Sequence, residues 1–327
     1  MITHRERIQA LLKGEIVDRP PVALWRHFPV DDQTPGGLAA ATIQFQQTYD
    51  FDLVKVTPAS SFCLKDWGVE DAWRGNPEGT REYTKRPIQE PRDWETLQVL
   101  TPQSSRLAAQ LECLREIRAA LPPETPLLQT VFSPLAQARN LAGAEILLSH
   151  LRLYPDAVLK GLEIIAGTTR RFVEAVMATG VDGVFYAIQH AQAQLMSREE
   201  YQTFGLPFDL QSLQPSEAGW CNMLHLHGHN VYFETASNLP AQIVNWHDRE
   251  SSPSLSEARD LFRGSLCGGL RQDTLVYSTA SEVETEGLDA IRQMDGRRLL
   301  LSTGCVVPVI APQGNIRAAR QIVEPKQ

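Results

Sequence analysis

The run CNMLHLH, residues 221–227, is apolar apart from Asn222 and its two histidines, and it sits between Gly219-Trp220 and Gly228. A short apolar run bounded by turn residues reads as a strand buried on both faces. His225 and His227 then stand at i and i+2, which puts both imidazoles on one face. Seven further runs share this form, at 21–25, 51–56, 127–132, 183–188, 242–246, 264–268 and 298–302. Segments with helical spacing lie between them, at 38–48, 105–120, 157–179, 198–210, 254–262, 281–294 and 315–322. Eight strands alternating with helices predict an α/β chain folded as a (β/α)8 TIM barrel, a single domain over 1–327. An open doubly wound sheet is disfavoured, because no G-x-G-x-x-G turn follows the first strand.

Two regions stand outside this alternation. Thr3, followed by Glu6 and an Ile8-Leu11-Leu12 stripe, reads as a capped helix ahead of the first strand. Residues 57–102 carry Trp67, Trp73 and Trp94 among several Gly and Pro residues, and read as an extended loop over one end of the barrel, placed to act as a lid.

Composition narrows the function. The 327 residues are 43% hydrophobic and 21% charged, with a formal charge of -8. That balance supplies no basic face for a phosphate backbone, so nucleic acid is excluded as a partner, and an anionic membrane is disfavoured. No run of 18 apolar residues occurs and the N-terminus is polar, so the expectation is a cytoplasmic protein. The five cysteines are odd in number and scattered, which predicts reduced thiols and no disulfide framework.

In such a barrel the active site is assembled at the carboxyl ends of the strands. Arg26, His27, Thr57, Ser60, Ser133, Gln189, His190, His227, His229, His247, Asp248, Arg271, Gln272 and Cys305 fall there. His225, His227 and Cys305 offer the two imidazoles and one thiolate of a zinc site that keeps its fourth position open. His229 and Asp248 are candidates for a further ligand or for a group that orients an imidazole. The competing reading makes Cys305 a small buried hydrophobe and the histidines hydrogen-bonded core residues. Asp52 opens the second strand, where a buried carboxylate needs a donor, and Arg26 is the expected partner.

Several segments resemble the uroporphyrinogen decarboxylase superfamily: Arg19-Pro20-Pro21-Val22, Phe51-Asp52-Leu53-Val54, Gly180-Val181-Asp182-Gly183, His225-Leu226-His227-Gly228 and Gly304-Cys305-Val306-Val307-Pro308. The resemblance runs nearly end to end. It implies a single barrel, commonly a homodimer. It also divides by branch. The decarboxylases carry Arg-Gln-Ala-Gly-Arg after the first strand, which here reads Arg26-His27-Phe28-Pro29-Val30, and their C-terminal Gly-His-Gly falls on Gly304-Cys305-Val306. Their essential aspartate is matched by Asp52. The zinc methyltransferases that act with corrinoid proteins carry His-x-Cys-Gly on the fifth strand and Gly-Cys after the eighth. Here these read His225-Leu226-His227-Gly228 and Gly304-Cys305, with His227 in place of a cysteine.

The expectation drawn from these readings is a Zn²⁺-dependent methyltransferase that moves a methyl group, from a corrinoid protein partner, to a small thiol activated on zinc. His225, His227 and Cys305 hold the metal. Asp52, Arg26 and Gln189 are the candidate catalytic residues, and Arg26, His27, Ser133, Gln189 and His190 the candidate substrate contacts. Two alternatives stay open: a decarboxylase or lyase acting on a smaller carboxylate through Asp52 and Arg26, and a binding module for a tetrapyrrole or corrinoid.

Overall fold

A computed structural model describes residues 2–324. Seven strands form one parallel sheet: β1 (Val54–Val56), β4 (Leu127–Phe132), β5 (Gly183–Ile188), β6 (Met223–Leu226), β7 (Ile243–Trp246), β8 (Ser265–Leu270) and β9 (Leu299–Thr303). Neighbours in the sheet follow chain order. A separate antiparallel pair, β2 (Glu70–Ala72) and β3 (Glu82–Lys85), lies between β1 and β4 in sequence. Every residue of the seven parallel strands is buried. Continuous apolar runs, instead of alternating ones, are what a sheet covered on both faces requires.

The expected eighth strand, 21–25, is a correction. It is reduced to a single parallel bridge between Val22 and Leu301. Three backbone hydrogen bonds nevertheless carry it across the gap from β9 to β1: Ala23 N–H to Leu301 O, Leu301 N–H to Pro21 O, and Asp52 N–H to Val22 O. The local chemistry explains why the ladder stops there. Pro20 and Pro21 have no N–H to offer, and the Val22 N–H is taken at 2.8 Å by the Asp52 carboxylate.

Asp52 is fully buried at the amino end of β1. Besides Val22 it accepts from Arg7 (2.7 Å) and Arg19 (2.6 and 3.1 Å) and lies 2.9 Å from His4 Nδ1. Arg26, the partner expected from sequence, is not among its contacts. Burial alone would raise the Asp52 pKa, but the bonds from His4 and Arg19, the Arg19 charge and the Val22 N–H together hold it well below the usual carboxylate range. His4 and Arg7 belong to the helix His4–Lys13, whose start is the Thr3/Glu6 capping box. One carboxylate thus ties that helix, the 21–25 segment and β1 together.

Most helices match their expected spans, with two differences. The segment 198–210 is two helices, Arg198–Phe204 and Leu206–Leu213, because Pro207 can neither donate to the preceding turn nor fit against it. Three helices lie outside the expected spans: the short Gln272–Tyr277, and Pro134–Ala142 and Ala144–Leu153, which meet at Gly143, whose φ is +96°. No helix among the described residues is long and apolar enough to cross a membrane.

Asp52→Asn should cost about 3 to 5 kcal/mol in urea unfolding, since it strands Arg7 and Arg19 with half a partner. The wild-type contribution is complete above the unfolded aspartate value of 3.8 and is lost as pH falls from there toward the lower folded value. Unfolding measured from neutral to acid pH should show that loss in the wild type and not in the variant; equal curves would rule out this role.

Candidate metal centre

Four donor atoms converge at the carboxyl ends of three strands. His225 lies within β6 and His227 follows it, His247 follows β7, and Cys305 follows β9. Their ligand atoms all lie within 4.8 Å of one another. His225 Nε2 is 3.4 Å from His227 Nδ1, and His247 Nε2 is 3.5 Å from the same atom. Cys305 Sγ stands 3.7 Å from His225 Nε2 and 3.8 Å from His227 Nδ1. A tetrahedron with the usual Zn–N and Zn–S bond lengths has edges of about 3.3 Å between nitrogens and about 3.6 Å between nitrogen and sulfur. The donor set therefore fits zinc in both element type and spacing.

The surrounding hydrogen bonds settle how His225 presents itself. The Asn245 side chain is fully buried on β7 and donates through Nδ2 to Cys267 O (2.9 Å) and Thr303 O (3.0 Å). With the amide nitrogen so occupied, Oδ1 is the atom that faces His225 Nδ1 at 2.7 Å. His225 Nδ1 must carry the proton, which leaves the Nε2 lone pair for the cluster. His247 is held more loosely, with Nδ1 3.5 Å from Glu250. Gly304 lets the chain after β9 pass against the end of β7: a Cβ there would stand 2.7 Å from His247 Cα and 2.8 Å from Trp246 O. Any side chain at 304 would push Cys305 away from the histidines.

The protonation states suit metal binding. Burial, and then the neighbouring His247, push His227 down to about 4, and burial sends His225 well below its ordinary value. Both imidazoles are therefore neutral near pH 7. Burial raises the Cys305 thiol to about 11, so its proton leaves only when a metal cation takes its place.

Beside the cluster a cavity of about 580 Å³ is lined by His225, His227 and Cys305. His27, Gln189 and residues of the 57–102 segment, among them Arg81, Tyr83 and Arg86, also line it. His27 is buried, its Nδ1 has no partner, and burial holds it neutral with a pKa of about 3. The other sequence candidates are placed elsewhere. Asp52 is at the amino end of β1, away from the cavity. Arg26 lies over the Phe28 ring at 5.3 Å and lines a separate small recess. Ser133 caps the helix Pro134–Ala142, accepting from Ala136 N–H at 3.3 Å. His190 is buried outside the cavity lining, and burial holds it at about 3.

His229 is exposed, its ring 6.0 Å from that of His247. Asp248 is not one of the four donors: its carboxylate accepts the Gly269 N–H at 3.0 and 3.1 Å, and burial raises it to about 7. Sequence reading places His247 at the strand ends beside Asp248 but offers Asp248, and not His247, as the further ligand; the structure brings His247 to the cluster instead. The available signal was its place directly after an apolar run beside the one that carries His225. Lys55, a charged residue within the run 51–56, and Arg86 and Arg139 also line the cavity and have no counterpart among the sequence candidates.

Comparison with known proteins places this geometry. A family model described as uroporphyrinogen decarboxylase (URO-D) matches residues 3–325. The methylcobamide:CoM methyltransferase MtaA of Methanosarcina barkeri (strain Fusaro / DSM 804) is 22% identical over 341 residues, covering 97% of this chain and 96% of its own. Among solved structures, a methyltransferase from Methanosarcina mazei superposes with a TM-score of 0.86 at 19% identity, over 98% of this chain and 99% of its own. A B12-independent methionine synthase from Shewanella sp. W3-18-1 follows at 0.60 and 14% identity, over 92% of this chain and 90% of its own. At these identities the two structures speak for the fold.

Because the imidazoles are already neutral and the thiol is not ionised, zinc uptake should release one proton. The logarithm of the zinc affinity should then rise by about one per pH unit between about pH 6 and 9, read by chelator competition. Asn245→Ala should weaken that affinity by about 10- to 100-fold. A pH-independent affinity, or an Asn245→Ala protein indistinguishable from wild type, would show that these groups do not hold the metal as described.

Proposed function

We propose, for a chain that belongs to the uroporphyrinogen decarboxylase family, that it is a methyltransferase moving a methyl group onto a small thiol. The observation that carries this reading is the convergence of His225, His227, His247 and Cys305 within 4.8 Å, beside a cavity large enough for a small substrate. The similarity to a methylcobamide:CoM methyltransferase supports a corrinoid, carried by a partner protein, as the methyl donor. When bound, zinc would hold the acceptor's sulfur as a thiolate at neutral pH.

The chain's own residues supply the rest. Asn245 fixes His225 with its lone pair inward, and Gly304 keeps Cys305 within reach of both histidines. Four protein donors would suffice to hold the metal, so binding of the acceptor's sulfur would require one of them to yield. His247 is the donor best placed to do so, because its outer nitrogen is 3.5 Å from the Glu250 carboxylate while His225 is held at 2.7 Å by Asn245. Gln189, on the cavity wall, orients the acceptor's polar end. The neutral His27 offers a ring nitrogen there without adding charge.

A decarboxylase acting through Asp52 and Arg26 has less support. Asp52 is committed to Arg7, Arg19 and Val22 at the amino end of its strand, and Arg26 lies outside the cavity.

Protein purified without added metal should contain one zinc per chain and should demethylate methylcobalamin when supplied with mercaptoethanol. Cys305→Ser should lower zinc affinity by well over 100-fold, beyond the range of a change outside the ligand set, and abolish turnover without unfolding the barrel. His247→Ala should keep zinc bound at micromolar chelator and change turnover instead. Elemental analysis with the absorbance of the demethylated corrinoid reads all three, and stoichiometric zinc in the Cys305→Ser protein would refute the site.

A further inference from the structure

Lys55 differs from the other lysines of the chain in what surrounds it. The sequence has six, and three of them are paired with a carboxylate: Lys65 with Asp71 at 3.0 Å, Lys85 with Glu70 at 3.0 Å and Lys160 with Glu95 at 2.9 Å. Lys13 is exposed in the last turn of the first helix. Lys55 is buried in the middle of β1 and lines the cavity beside the metal centre. Val54 and Val56 flank it on the strand's other face.

No carboxylate pairs with Lys55 among the described residues. Its nitrogen is 3.3 Å from Thr57 Oγ1, and it lies over two aromatic rings, Phe185 at 4.4 Å and Trp25 at 5.7 Å from the centroids. The cavity wall also carries Arg86 and Arg139, which likewise have no carboxylate partner among the described residues. Arg86 donates to Asn140 O at 2.6 Å, and Arg139 reaches Asn140 Oδ1 at 3.5 Å. The carboxylates of the lining, Glu78 and Glu82, are exposed, and Glu82 pairs with Arg74 at 3.2 Å.

These surroundings disfavour an ammonium. A buried cation keeps its charge where a counter-charge or a full set of hydrogen bonds replaces water, and Lys55 has one hydrogen bond and no counter-charge. Burial accordingly lowers it to about 7, so that ammonium and free amine are present in comparable amounts at neutral pH. A free amine desolvated in a pocket is a nucleophile, and a carbonyl carbon is the electrophile with which such lysines react reversibly. The cavity of about 580 Å³ leaves room for a small carbonyl compound beside it.

We propose that Lys55 is a covalent carbonyl-binding site, which forms a Schiff base with a small aldehyde or ketone that enters the cavity. The amine nitrogen adds to the carbonyl carbon, the π pair of the carbonyl passes to oxygen, and one proton moves from nitrogen to that oxygen to give a carbinolamine. The C–O bond then breaks, the nitrogen lone pair forms the C=N bond, and the oxygen leaves as water with the second amine hydrogen. No oxidant, reductant or further reactant enters. The reaction stands apart from methyl transfer, because it uses neither the metal nor a thiol, and either can fail without the other.

The test is reductive trapping at neutral pH. The protein as purified is incubated with propanal and cyanoborohydride, digested at intervals, and the propylation of each lysine is followed by mass spectrometry. About half of Lys55 is free amine there, against about one in a few thousand for a lysine at its ordinary value. Even with burial slowing access, Lys55 should be propylated at least about 10-fold faster than the exposed Lys13. Without cyanoborohydride, Lys55 should be recovered unmodified after dialysis, because a Schiff base hydrolyses. Lys55→Met should remove the fast-labelled site and leave Lys13, Lys65, Lys85 and Lys160 at their wild-type rates. Should that variant fail to fold, the wild-type time course decides by itself, since each lysine is read separately. Propylation of Lys55 no faster than that of Lys13, or a modification of Lys55 that survives dialysis without reductant, would overturn the proposal.

Discussion

The carboxamide of Asn245 is the constraint on which the site depends. It stands on β7, accepts from His225 on β6, and donates to Cys267 O on β8 and to Thr303 O on β9. One buried side chain therefore bridges four consecutive strands at the level where the donors gather. Its bonds to two carbonyls leave the amide a single orientation, and that orientation gives His225 a single tautomer. Cys305 is two residues beyond the Thr303 carbonyl that Asn245 holds, so the same group registers both ends of the donor set.

The two ends of the parallel sheet differ in what their polar groups do. At the amino ends, carboxylates are spent on holding the chain together: Asp52 gathers Arg7, Arg19 and the Val22 N–H, and Asp182 takes Arg5 at 2.7 Å and the Trp220 indole at 2.9 Å. At the carboxyl ends, some of the polar groups are left with few partners among the described residues. His27 Nδ1 has no partner, Lys55 has one hydrogen bond, and four ligand atoms face one another. On the proposed reading this separates stability from chemistry, as a parallel sheet with its functional groups at the carboxyl ends of the strands permits.

Much of this was legible in the chain because it is carried by local pattern. Strands 127–132 and 183–188 are bounded to the residue by sequence, since a buried parallel strand is mostly apolar, Gln129 and Thr130 excepted, and here ends at Ser133 and Gln189. The i, i+2 spacing of His225 and His227 needed no long-range knowledge, and Cys305 followed from its place after a strand. What failed was pairing. Asp52 was expected with Arg26 because both were assigned near neighbouring strands, but the carboxylate precedes its strand while Arg26 follows the 21–25 segment, so the two lie toward opposite ends of the barrel. As a metal ligand, His247 was passed over for Asp248, one residue on, because which of two adjacent side chains turns inward depends on the backbone after β7. The 21–25 segment carried the composition of a strand, yet the competing acceptor for its Val22 N–H was a side chain thirty residues away.

The departure at His227 links the metal centre to its surroundings on the proposed reading. Three imidazoles and one thiolate leave a bound Zn²⁺ with one unit of positive charge, where a second thiolate would have neutralised it. A more positive metal acidifies a thiol more strongly but draws electron density from the sulfur, which makes the thiolate a weaker nucleophile. The methyl donor must then be correspondingly reactive, as an alkyl group on a corrinoid is. The unpaired guanidiniums of the cavity wall, Arg86 and Arg139, add to the same positive field, and in a low-dielectric pocket their effect is far larger than at a wetted surface. On the same reading, that field would favour the ionised form of the acceptor's sulfur. The charge that weakens the nucleophile and the charge that keeps it ionised therefore have one origin, an excess of neutral and cationic side chains around a single thiolate.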